Sequence, residues 1–434
     1  MENLREQLEA AKGLRPYDVL LENVKIVNVF TEEIMEGCIG IYGQRIVAVN
    51  PKKKEAKTVI DGQGCYAVPG FIDAHIHIET TLLTPEALGD VIIPWGTTSL
   101  CVDAMEIANV AGMEGLQALI KDMDQLPFRL YLEIPSRVPT APGLETTGGV
   151  LGVEEVTELL DLPQAISLGE LDPSKILGIR EEYLAKIAAS LAKNKVCNGH
   201  AIGLSPEALN VYAAGHLSDD HESVEYEELL DRLRVGIKAL IREGSSERNV
   251  EKLITGVVQN NLSTENLMYC TDDKHVNDIA REGHISYNIE KSIALGLDQV
   301  KAIKIATINA AKHFRMEQDI GSITPGRYAD IVLLKDLKTI KPVMVMKGGR
   351  VVADVNGAKP CPKKEYPSKL FDSVHISPTF SENAFKIPAV GQRALCRVIE
   401  MIKDQIINNE LHEWMLITDG EIRQEVERDI LKLS

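Results

Sequence analysis

The chain has 434 residues, with 47 Lys and Arg against 64 Asp and Glu and a net charge of −17. That excess of negative charge repels phosphate and excludes a broad nucleic-acid or anionic-membrane surface. Hydrophobic residues at 44% and charged residues at 26% mark a globular chain, and no run reaches the ~18 apolar residues that span a bilayer. The seven cysteines are odd in number and unclustered, a pattern of reduced, buried thiols and not of a disulfide framework. The charged N-terminus lacks the apolar core of a signal peptide, so the reading is a soluble, cytoplasmic protein.

Residues 1–17 have Leu4, Leu8 and Ala11 at helical spacing and predict an N-terminal helix. From 18 to 67 the texture changes to short strands broken by Gly and charged turns, as in "VLLENVKIVNVF" and "GCIGIYGQRIVAVN". The same texture returns at 319–360, so the two flanks are expected to build one small, discontinuous β-sandwich domain. Between them, 68–318 alternates apolar strands with helical patterns such as "REEYLAKIAASLAKN" and "YEELLDRLRVG". The strand candidates are 70–78, 97–104, 129–135, 165–170, 195–200, 215–221, 237–245 and 266–273; the seventh fits a helix equally by pattern. Eight strand–helix units in about 250 residues match an α/β fold of the (β/α)8 TIM-barrel type. The remainder, 361–434, reads as a short α/β segment with an amphipathic helix at "GQRALCRVIEMIKDQI".

Chemistry concentrates at the strand ends. His75 and His77 lie two apart, so on a strand both imidazoles face the same way, at the C-terminal end of the first barrel strand, where such barrels place their active sites. Alone, an HxH pair is weak, since ten histidines produce one by chance in a sizeable share of shuffled chains of this length. Other ligand types end other strands: Glu170 the fourth, His200 the fifth, His221 the sixth and Asp272 the eighth. A helix cap or loop hydrogen bond accounts for any one of these residues; the joint set suits two divalent cations with Glu170 between them. Asp272 would then be both ligand and proton carrier.

Residues 68–112, "VPGFIDAHIHIETTLLTPEALGDVIIPWGTTSLCVDAMEIANVAG", resemble the opening barrel segment of bacterial adenine deaminases of the amidohydrolase superfamily. Further matches follow in order: "SLGEL" at 167–171, "NGHAIGLSPEALNVYAAG" at 198–215, "SDDHES" at 218–223, "REGSSERN" at 242–249 and "CTDDKHVNDIAREGHI" at 270–285. "GSITPGRYADIVLL" at 321–334 resembles the superfamily's return into its small β-domain. The resemblance implies a binuclear centre: His75 and His77 with Asp272 on one metal, Glu170 bridging, His200 and His221 on the other. It also implies attack of a metal-bound hydroxide on C6 of adenine, giving hypoxanthine and ammonia in purine salvage or adenine catabolism. Two divalent ions are expected, Mn2+ first, with Fe2+ and Zn2+ as alternatives. Glu106 becomes the candidate for touching the purine or shuttling a proton, with Asp103 as a further substrate contact. Glu79, Glu222 and Asp273 are expected to orient imidazoles. The implied partner is a free purine base, not a nucleic acid or a membrane, and the implied assembly is a homo-oligomer, with a dimer first.

Two departures from the family pattern stand out. Met105 replaces the histidine of Asp-Pro-His-Glu-Ile-Ala-Asn, which removes a polar group beside the implied substrate position and points to a shift away from adenine toward another aminopurine. "LDPSKIL" follows the fourth strand where an Asn-Phe-Pro-Gly run is usual. Family members also continue well past "ERDILK", so 361–434 is expected to be cut short relative to them. Two other readings remain open: a cyclic-amide hydrolase, whose metals are bridged by a modified lysine on the fourth strand, and a catalytically silent paralogue. Glu170 in that place, with Lys175 five residues on, favours the deaminase.

Overall fold

The computed structural model describes residues 4–121, 123–403 and 405–433. The chain divides into two compact units, 1–367 and 368–434. In the first, a short helix, Leu4–Ala11, precedes the strand Tyr17–Asn28. Residues 1–3 of the helix expected over 1–17 lie outside the described residues. Of its expected stripe, Leu4 and Leu8 are exposed, and Ala10 is the side chain that packs, against Tyr17, Leu20, Cys38 and Val47. Gly13, at φ 67, ends the helical run by turning the chain into the left-handed region.

The flanking segments meet in one nine-stranded sheet. Its join is antiparallel, Ile331–Leu334 against Tyr66–Pro69, with Ile331 opposite Pro69 and Leu333 opposite Ala67. Side-chain alternation buries both faces. Ile26, Ala67, Leu333 and Met346 belong to the sheet's own core, while their neighbours Val27, Val68, Val332 and Val345 join the main core. Where the sequence predicts a sandwich, the described strands pair as a single sheet whose central strands are buried on both faces.

The middle of the chain supplies eight parallel strands: β1 (Phe71–Ile76), β2 (Thr97–Asp103), β3 (Arg129–Ile134), β4 (Ala165–Leu171), β5 (Val196–Gly199), β6 (Asp219–Asp220), β7 (Lys238–Arg242) and β8 (Leu267–Cys270). Strands β1–β5 form one sheet in sequence order and β6–β8 another. The seventh segment is therefore a strand, set by parallel pairing of Ala239 with Leu267 and Ile241 with Tyr269. Hydrogen bonds cross both gaps between the sheets. Ser218 N–H donates to the Cys197 carbonyl at 2.9 Å, Asp272 N–H to His75 at 3.0 Å and His77 N–H to Asp272 at 3.2 Å. Gly199 is required where β5 meets β6, because a Cβ there would lie 2.2 Å from the Asp219 carbonyl oxygen. The helix Pro206–Ala214, between β5 and β6, starts at a strong cap: Ser205 accepts from Ala208 N–H, with Pro206 at the first helical position.

The second unit corrects one expectation. The segment expected to be an amphipathic helix is the strand Arg393–Met401, paired antiparallel with Asn408–Thr418. Its burial alternates: Ala394, Cys396 and Val398 are half-buried, and Leu395, Arg397 and Ile399 are exposed. Among its described residues this unit holds strands and short 3-10 turns but no α-helix, so the α/β character expected of 361–434 is replaced by β structure.

Candidate functional site

The ends of five strands converge. His75, on β1, and His77, just beyond it, are 1% and 5% exposed. Glu170 is the next-to-last residue of β4, His200 follows β5, His221 follows β6 and Asp272 follows β8. Three overlapping groups bring their ligand atoms within 4.8 Å of one another: His75, His221 and Asp272; His75, His77 and Glu170; and Glu170, His200 and His221. His75 Nε2 lies 3.6 Å from Glu170 Oε2 and 3.7 Å from Asp272 Oδ1, and His77 Nε2 lies 3.6 Å from the same Asp272 oxygen. His221 Nε2 is 3.2 Å from Glu170 Oε2. Asp272 sits at φ 54, a left-handed conformation that Asp tolerates better than most residues. The mutual hydrogen bonds of its backbone with His75 and His77 hold it there.

The imidazoles are oriented from behind. His75 Nδ1 is 2.7 Å from Glu133 Oε2, and His77 donates from Nδ1 to the Asp103 carbonyl at 3.0 Å. Both Nε2 atoms are thereby turned toward Glu170 and Asp272, the arrangement of metal-binding histidines. His75 Nε2 and Glu170 Oε2 are buried without a hydrogen-bond partner. Orphaned polar atoms are costly in a protein interior, and a cation between them would satisfy both.

The electrostatics fit the same conclusion. Burial alone would raise Glu170, but Arg137, His200 and His221 outweigh it and hold the carboxyl well below its usual range. Burial also opposes the charge of Asp272, yet His221 and Arg242 keep it ionised. Glu222 is held at about 2 against burial, chiefly by Arg242. Burial likewise opposes protonation of His77 and His221, but Glu106 raises the first and Glu170 and Glu222 raise the second. Without a cation the carboxylates recruit protons onto imidazoles; binding a divalent ion would release them.

The other expected residues take different places. Glu106, in the first turn of the helix Met105–Ile120, puts Oε2 3.1 Å from His77 Nδ1 and keeps a side chain 36% exposed. Asp103 is buried, its Oδ2 accepting from Glu170 N–H at 3.2 Å, and burial pushes it up to about 8. Glu79 accepts from Ile107 N–H at 3.0 Å, so it ties down the start of that helix and not an imidazole. Glu222 lies 3.5 Å and 3.3 Å from His200 and His221 Nε2. Asp273 adjoins Asp272, with one carboxylate oxygen unpartnered; burial and the Asp272 charge raise it to about 6. Met105 accepts a weak hydrogen bond from Thr140 at 3.6 Å through its sulfur. Lys175 pairs with Asp172 and donates to the Thr140 carbonyl, and it is Glu170 whose carboxylate groups with His75, His77, His200 and His221.

Three residues escaped the sequence reading. Glu133 is the next-to-last residue of β3, and the strand-end logic that selected Glu170 would have found it. Arg137, on the loop after β3, ion-pairs with Glu170. Arg242 closes β7 and binds both Glu222 and Asp272. Arg137 lies in none of the quoted motifs, and Arg242 opens "REGSSERN" without being singled out by it.

Comparison with known proteins agrees with this geometry. The profile of the amidohydrolase family matches residues 66–352. An adenine deaminase of Desulforamulus reducens is 57% identical over 436 residues, covering 100% of this chain and 74% of that protein. One from Kosmotoga olearia is 36% identical over 444 residues with the same coverage. Among solved structures, a β-aspartyl dipeptidase from Fervidobacterium islandicum superposes with a TM-score of 0.60 at 19% identity, covering 80% of this chain and 99% of that one. An adenosine deaminase from Xanthomonas campestris with bound zinc gives 0.58 at 14% identity, covering 82% and 97%. At these identities the two structures speak for the fold alone. The chain belongs to the adenine deaminase family of the amidohydrolase superfamily.

Proposed function

We propose that the protein deaminates adenine hydrolytically, releasing hypoxanthine and ammonia. The observation that carries this reading is the convergence of His75, His77, Glu170, His200, His221 and Asp272 around orphaned buried atoms, in a chain 57% identical to a named adenine deaminase. His75, His77 and Asp272 would hold one divalent ion, His200 and His221 a second, with Glu170 between them. Mn2+ comes first, with Fe2+ and Zn2+ accepted by the same donors. When bound, such ions acidify water and supply a nucleophile at neutral pH.

The chain's own residues do the rest. Asp272 Oδ1 takes one proton from the water whose oxygen bonds to C6 and passes it to the exocyclic nitrogen. The second water proton ends on ring N1, the C6–N bond breaks, ammonia leaves and the oxygen remains as the C6 carbonyl of hypoxanthine. Glu106, partly exposed beside His77, contacts the purine ring or moves a second proton, and Asp103 braces that side of the pocket. Glu133 and the Asp103 carbonyl keep the imidazoles aimed. The same reading makes the two parallel sheets arcs of one closed (β/α)8 barrel, supported by the hydrogen bonds across both gaps. It places the protein in the cytoplasm, in purine salvage, as a homodimer acting on a free base.

The test is turnover. Mn2+-loaded protein is incubated with adenine, and ammonia release is followed together with the change in ultraviolet absorbance to that of hypoxanthine. Adenine left intact while another aminopurine or a cyclic amide is consumed would overturn the substrate assignment.

A further inference from the structure

Arg242 is 1% exposed at the end of β7, between the residues that follow β6 and β8. Its guanidinium donates from Nη1 to Glu222 Oε1 at 2.7 Å and to Asp272 Oδ2 at 2.8 Å, and from Nη2 to Glu222 Oε2 at 3.1 Å. Nε faces Asn249 Oδ1 at 3.3 Å. One planar cation from the middle strand of a three-stranded sheet thus grips carboxylates presented beside both neighbouring strands. The consequence for Asp272 is a division of labour between its oxygens. Oδ2 is held by Arg242, and Oδ1 is left facing His75 Nε2 and His77 Nε2 at 3.7 Å and 3.6 Å. Glu222 is gripped through both oxygens, which limits its approach to His200 and His221.

We infer that Arg242 is a positioning residue for the reaction, fixing Oδ2 of Asp272 so that Oδ1 is aimed at the metal-binding and proton-transfer position. The inference rests on the reading of Asp272 as ligand and proton carrier. It commits to the fork geometry of the guanidinium, not to its charge alone, because a lysine ammonium in the same place cannot serve both carboxylates in one plane.

The experiment compares wild type, Arg242→Lys and the double variant Arg242→Met/Glu222→Gln, which removes one positive and one negative charge and so keeps the buried balance. Each is assayed for kcat and KM on adenine, for Mn2+ bound against free Mn2+ by equilibrium dialysis, and for thermal midpoint. Residues that orient metal ligands typically change affinity or activity by about 10–100-fold. The expected result is therefore a kcat at least about tenfold lower in both variants, with KM little changed and one Mn2+ site weakened to a similar degree, in protein that still melts cooperatively. A double variant with wild-type kcat and wild-type Mn2+ binding would show that charge balance suffices and would overturn the inference. So would activity falling only in step with the folded fraction. If wild type binds Mn2+ but leaves adenine untouched, the functional reading fails, while the Mn2+ isotherms still decide the role of Arg242.

Discussion

The contact between His75 and Glu133 offers the sharpest test of how the site is built. Both side chains are almost wholly buried, at 1% and 0% exposure, and they meet at 2.7 Å. Leaving one partner of such a buried hydrogen bond unsatisfied costs about 1–3 kcal/mol. At about 1.4 kcal/mol per decade, that is roughly a 5–150-fold effect on any equilibrium that needs the imidazole in this orientation. Glu133→Gln keeps the side chain's size and an oxygen acceptor, so it should cost less than about tenfold in Mn2+ affinity. Glu133→Leu keeps most of the volume and removes the acceptor, leaving Nδ1–H orphaned; it should weaken Mn2+ binding by about 10–100-fold and lower kcat with it. Equilibrium dialysis against Mn2+ with parallel ammonia assays measures both. A Leu variant that binds Mn2+ as tightly as wild type would refute the claim that Glu133 fixes the His75 tautomer.

Glu170→Gln removes the charge that Arg137, His200 and His221 converge upon, so bound metal and turnover should fall together; normal metal content with normal rate would refute the bridging role. The pH dependence of the metal-free protein follows from Glu222, whose folded value of about 2 lies below the ordinary Glu value of about 4.3. Its contribution to stability is complete above about pH 5 and lost as the pH falls toward 2, so the thermal midpoint should drop over that window. Glu222→Gln should flatten the decline. Gly199→Ala forces a Cβ to 2.2 Å from the Asp219 carbonyl and should destabilise the fold by about 1–3 kcal/mol in a chemical denaturation curve; an unchanged midpoint would show that β5 and β6 can separate freely.

Much of the architecture was legible because the parallel strands are buried on both faces. "TTSLCVD" and "AISLGEL" are short apolar runs bounded by turns, and each became a strand buried along its whole length. "IKALIREGS" was ambiguous because a five-residue strand is too short to display a period; its partners Leu267 and Tyr269, distant in sequence, decide it. The misread segment at 393–401 fails for the opposite reason. Ala394, Leu395, Cys396, Val398, Ile399 and Met401 satisfy a helical and a strand pattern at once, and pairing with Asn408–Thr418 selects the strand. In the N-terminal helix, spacing identified an apolar stripe but not the packed residue, since burial of Ala10 depends on the sheet that arrives later in the chain.

The site was legible to the extent that its ligand types sit at strand ends, and illegible where its balance of charge comes from the interior. Arg137 and Arg242 look like surface residues by composition, yet both are buried against carboxylates. Their placement separates the buried acids into two sets. Asp103 is pushed up to about 8 and Glu133 well above its ordinary range, first of all by burial. Glu170, Asp272 and Glu222 experience the same burial, but arginines and imidazoles pull them down, so they stay ionised. Only the second set faces the point where His75, His77, His200 and His221 converge. The negative charge of these three carboxylates thus stands where divalent cations would reward it, and the arginines on the β3 loop and β7 help to hold it there.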